Sequence, residues 1–156
     1  MAMLRGKVFW AKIVGKPSKA YLPADPREWS FDLALRDEDV SLLTKEGAKP
    51  YIKEPKSELD HDGHHYIRFK RKEVTAVGDP GTPYRIVDHM GQEWDGKTLI
   101  GNGSICNVKY NLNEQTMGKN KGAFKPTAFA IQVVKLEKYE ASSEFPEYAD
   151  STSEEW

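Results

Sequence analysis

In the run WSFDLALRD, Trp29, Phe31, Leu33 and Leu35 alternate with Ser30, Asp32 and Arg36. A period of two puts the two sets on opposite faces of a pleated strand, so this stretch predicts a strand with one buried face. The same signal returns along the chain. GKVFWAKIVGK, from Gly6 to Lys16, is β-branched and aromatic and is bounded by glycine. HHYIRFKRKEV sends Ile67 and Phe69 inward and Tyr66, Arg68, Lys70 and Lys72 outward. YRIVDH is a short strand. SICNVKYNL sets Cys106, Val108, Tyr110 and Leu112 against Asn107, Lys109 and Asn111, and TAFAIQVVKLEKY is the last run. Only DEDVSLLTKEG changes period, with Val40 and Leu43 (Leu42 beside them) in a helical stripe, Asp37 as N-cap and Gly47 at the C′ position. Six strands and one short helix, with no repeated βαβ unit, predict an all-β fold: a small, mostly antiparallel barrel or sandwich. The pattern does not select which five strands would close a barrel.

At 156 residues the chain has the length of one domain with a sizeable core, and its 17 aromatics exclude disorder for the body. No apolar run reaches the roughly 18–20 residues that a membrane span needs. The opening MAMLRGKVFWAKIVGK is punctuated by charges and does not read as a signal peptide. The single cysteine, Cys106, excludes an internal disulfide and suits a reducing compartment, so a cytoplasmic setting is expected.

Charge becomes informative once the chain is cut. Residues 140–156 hold six acids and no Lys or Arg, which leaves 1–139 with 23 bases against 18 acids, a net of +5. A basic body predicts a polyanionic partner, and an acidic tail competes for the same face.

Three motifs invite catalytic or metal-binding readings. In DHDGHH, His61, His64 and His65 lie beside Asp60 and Asp62, a donor set that suits zinc. Asp62-Gly63 is equally a hairpin signal, which would leave the histidines as exposed turn residues. GNGS at 101–104 lacks the lysine and the helix of a phosphate loop and reads as a tight turn. Cys106 alternates in phase with Val108 and reads as a buried thiol. No nucleophile motif is present, so no catalytic residue, metal or cofactor is expected.

Basic residues interleaved with aromatics carry more. Along YIRFKRK, Tyr66, Arg68, Lys70 and Lys72 share one strand face with Arg71 at its edge, a row of cations able to follow phosphates beside a ring on which a base could stack. A second group, Lys119, Lys121, Phe124 and Lys125, lies in the loop MGKNKGAFKP, with Lys109 on the preceding strand. In an OB barrel the strand 2–3 face and the loops after strands 1 and 4 bind oligonucleotides. Trp10, Tyr51 and Tyr84 are read as packing residues that could also offer rings.

LIGNGSICNVKYNL, the lysine-rich loop and FAIQVVKLEKY resemble the replication single-stranded-DNA-binding proteins of short-tailed, T-odd-type bacteriophages, and DHDGHHYIRFK resembles the turn and strand that precede them. The resemblance spans residues 6–139 in element order and is specific over 99–139. It implies an OB-fold domain over 1–139 that coats single-stranded DNA without base specificity during replication and recombination. Lys109 takes the place of the family's V-K-Y lysine, while Tyr110 points inward. The family also ends in an acidic tail with a terminal aromatic. Residues 140–156 are similar, though shorter, and close on Trp156 instead of Phe. Glu144, Phe145, Glu147, Tyr148, Asp150, Glu154, Glu155 and Trp156 are accordingly the expected hook for a replication partner such as a polymerase or helicase. The resemblance further implies the cytoplasm of an infected bacterial host, and a homodimer is among the assemblies it raises. An RNA-binding OB module and a small metal-dependent enzyme built on the histidines are the alternatives.

Overall fold

The computed structural model describes residues 2–15, 27–72 and 81–137. The predicted tail, with its acids and Trp156, lies outside the described residues, as do the ends of the first, third and last predicted strands. Six strands form one sheet: β1 (Ala2–Lys12), β2 (Glu28–Ala34), β3 (Tyr66–Lys72), β4 (Arg85–Val87), β5 (Ser104–Glu114) and β6 (Phe124–Lys135). They are ordered β3-β2-β1-β5-β6-β4, and every pairing is antiparallel except that of β4 with β6. The single α-helix of the described residues, α1 (Asp37–Lys45), follows β2 where the change of period predicts it. β3 approaches β6 across the sheet, giving the partly open barrel of an OB-type fold. The choice left open by the sequence is thereby made. β1, β2, β3, β5 and β6 form the wall, and β4 is a three-residue addition to its edge.

The inward faces are those the alternation predicts. Trp29, Phe31, Leu33 and Leu35 of the second run are all buried, as are Ile67, Phe69, Cys106, Val108 and Tyr110. Phe31 and Phe69 are direct cross-strand partners whose rings stack at 5.0 Å, and Tyr84 meets Phe31 edge-on at 5.2 Å. Burial pushes the Cys106 thiol up to about 12 and the Tyr110 hydroxyl to about 12, so both stay neutral.

α1 differs from prediction at its start. The N-cap is Arg36, whose backbone N–H and guanidinium both donate to the Asp39 carboxylate at 3.2 and 3.1 Å. Asp37 instead lies in the first turn, where its charge suits the helix dipole. The C-terminus matches. Gly47 adopts φ 89°, its N–H donates to Thr44 O, and Ala48 N–H donates to Leu43 O, with Leu43 and Ala48 both buried. Gly47 O then accepts from Phe124 N–H at 2.9 Å, which ties the helix to the start of β6.

Two measurements check this packing. A Cβ on Gly6 would collide with the Ala34 carbonyl oxygen of β2, so Gly6→Ala should lower stability by about 1–3 kcal/mol in urea unfolding. Cys106 should resist iodoacetamide at pH 8 in the folded protein and alkylate fully once the chain is unfolded.

Candidate nucleic-acid interface

Register decides what lies beside what on the outside of the barrel. Across β1, β2 and β3, Lys12, Ser30 and Lys70 form one row, and Phe9, Asp32 and Arg68 form the next. Further along, Ala34 faces Tyr66. Lys12, Lys70 and Lys72 are exposed, and Lys70 makes only a loose surface pair with Glu28 at 3.8 Å. Such a pair contributes about 0–1 kcal/mol and leaves the ammonium available to an anion.

The middle row is different. Asp32, predicted to point to solvent, is 2% exposed. Its carboxylate accepts both Nε (2.8 Å) and Nη2 (3.0 Å) of Arg68 and sits 2.8 Å from His61 Nε2. The paired charge raises the Arg68 pKa, chiefly through these hydrogen bonds, so Arg68 is a committed partner rather than a free cation. The segment DHDGHH is where prediction and structure part. Asp60–Gly63 is a tight kinked turn, not the tip of a two-strand hairpin, and His61, Asp62 and Gly63 take φ of 54°, 55° and 76° in succession. This path tucks His61 to 4% exposure beneath the turn. Its ring stacks on Tyr66 at 3.7 Å and 8°, and meets Phe9 edge-on at 5.3 Å. Nδ1 lies 2.7 Å from Asp60 Oδ1 but outside hydrogen-bonding direction. Asp60 itself is held below the usual carboxylate range, first by the Lys56 N–H and then by His61.

His61 is therefore not an exposed turn residue. Tyr66, offered by the sequence as a stacking ring, is 6% exposed with one face already covered by imidazole. His64 is exposed and His65 half-buried. Among the described residues no three His, Cys, Asp or Glu side chains are grouped to hold a metal ion.

The other candidates scatter. Arg71 lies on the inward-facing side of β3 with its guanidinium 5.5 Å above the Tyr84 ring, so it is not part of the outer row. Lys109 is exposed on β5 between Met3 and Ala130. Lys119 and Lys121 are exposed in the β5–β6 loop and Lys125 is exposed opposite Asn113, while Phe124 is half-buried against Gly47. Because β2 and β1 stand between β3 and β5, the strand group and the loop group occupy separate parts of the wall. A third polar row was not foreseen. Arg5 Nε donates to Asn107 Oδ1 at 2.8 Å, and Asn107 Nδ2 to Gln132 Oε1 at 3.0 Å, across β1, β5 and β6. Of the three rings set aside as packing residues, Tyr84 is buried and Tyr51 half-buried, but Trp10 is 58% exposed.

Asp32→Asn should cost about 1–3 kcal/mol in urea unfolding, because it removes the negative charge that Arg68 and His61 share at a buried site.

No family model matches the chain, and no curated protein matches it in sequence. Solved structures do. The gp2.5 single-stranded DNA binding protein encoded by bacteriophage T7 matches with a TM-score of 0.58 and 16% identity over 99% of both chains. The single-stranded DNA-binding protein from bacteriophage Enc34 in complex with ssDNA matches with a TM-score of 0.58 and 11% identity over 88% of both chains. A further structure of the Enc34 protein gives 0.54 and 12%, covering 95% of this chain and 88% of its own. Identities this low speak to the backbone path alone, and the chain accordingly has the OB-type fold of bacteriophage single-stranded-DNA-binding proteins, the family its sequence resembles.

Proposed function

We propose that this protein binds single-stranded DNA without sequence preference and protects it during phage DNA replication and recombination, in the cytoplasm of an infected bacterium. The observation that carries this reading is the outer wall of β1–β2–β3. There Lys12 and Lys70 align in register with Lys72 beyond them, on a fold whose solved neighbours bind single-stranded DNA. Exposed ammonium groups release counterions from phosphates, which needs no base identity and makes binding weaken with salt. Lys109 and the loop lysines Lys119, Lys121 and Lys125 add exposed positive charge on β5 and the β5–β6 loop, a separate part of the wall. Arg68 acts by holding Asp32 neutralised beneath that surface, not by contacting phosphate. The reading is non-enzymatic. In it the acidic segment 140–156 competes with DNA from a tether and, once displaced, recruits a replication protein through its acids and Trp156.

A fluorescence titration with oligo-dT at two salt concentrations tests this directly. The full chain should bind tightly and lose affinity steeply with salt, and truncation after Tyr139 should strengthen binding. Lys70→Ala and Lys72→Ala should each reduce the slope of log K against log salt by about 0.7. Binding that ignores salt, or a preference for RNA of equal length, would count against the proposal.

A further inference from the structure

Trp10 stands where the backbone favours glycine. Between the pairs Phe9↔Asp32 and Lys12↔Ser30, β1 has two residues, Trp10 and Ala11, against Phe31 alone on β2. This is a β-bulge, and Trp10 takes its left-handed position at φ 54°. A bulky residue there is an outlier, strained relative to right-handed backbone. The strain is held from outside the strand: Asn102, in the turn of the GNGS motif, accepts the Trp10 N–H on Oδ1 at 2.8 Å, and Gly103 N–H donates to Val8 O at 2.9 Å. What the strain achieves is exposure. Trp10 is 58% exposed, whereas Trp29 is buried at 6% with its indole N–H bonded to Gly15 O. The bulge thus leaves a large aromatic exposed two residues before Lys12, which opens the row Lys12–Ser30–Lys70 whose two ammonium-bearing residues lie about 10 Å apart across β2.

We infer that Trp10 is a stacking platform for an unpaired base, with Lys12 and Lys70 taking the flanking phosphates. The ring is the right chemistry for a base in single-stranded form, because a paired base has no free face to offer it. It also replaces the platform predicted at Tyr66, which His61 occupies. The inference rests on the proposal that the β1–β2–β3 wall binds single strands.

The test uses the full chain, oligo-dT, and two variants: Trp10→Gly, which suits the left-handed backbone, and Trp10→Phe, which keeps a ring. Trp10→Gly should weaken oligo-dT binding about 5- to 100-fold, the equivalent of about 1–3 kcal/mol per stacked base. It should also abolish most of the tryptophan quenching on binding, while Tm stays within a few degrees. Trp10→Phe should restore most of the affinity. On the unaltered protein, photocrosslinking to an oligo-dT carrying 5-iodouracil should yield a peptide containing Trp10. Unchanged affinity and quenching in Trp10→Gly, a crosslink only elsewhere, or a collapse of Tm with affinity intact would each overturn the inference and leave the broader reading standing. Failure of the unaltered chain to bind oligo-dT would overturn both.

Discussion

Everything in this fold hangs on β1. It is the one strand that pairs on one side with β2, and through it with β3, and on the other with β5 and so β6. That central place demands a close approach, and Gly6 supplies it by leaving the space that a Cβ would take from the Ala34 carbonyl. The strand must also bend to serve both halves of a barrel, and the Trp10–Ala11 bulge is where it does so. One irregularity therefore both shapes the wall and coincides with an exposed aromatic.

The outer surface of β1–β2–β3 is not a plain solvated face. A turn folds back over it and builds a small second core from Phe9, His61 and Tyr66 around the Asp32–Arg68 pair. Asp32 would be costly to bury alone. Its bidentate arginine supplies the compensating charge, and the arginine and the imidazole together supply the hydrogen bonds. The consequence for the surface is a division of labour among its cations. Arg68 is consumed by structure, while Lys12, Lys70 and Lys72 are exposed and Lys70 makes a loose pair with Glu28.

Much of the framework was legible in the residues. The period of two in WSFDLALRD and YIRFKRK is set by local backbone geometry, so Phe31, Leu33, Ile67 and Phe69 could be assigned to the core without a partner in view. The helix and its Gly47 stop were local too, as was the turn at GNGS. The site was less legible. Alternation places Asp32, Tyr66 and Arg68 outward, which is correct, but the turn at Asp60–Gly63 covers that face and buries Asp32 and Tyr66 while Arg68 stays exposed.

What the sequence by itself determined is which residues form strands, which face of each is apolar, and that one acid-rich segment follows a basic body. Those properties follow from neighbours one to four positions apart. Only the tertiary structure decided the strand register that pairs Asp32 with Arg68, the return of His61 onto Asp32 from a turn 29 residues further along, and the bulge that exposes Trp10 opposite Phe31. Each of these is a contact between distant parts of the chain, and periodicity carries no information about which distant segment will cover a face.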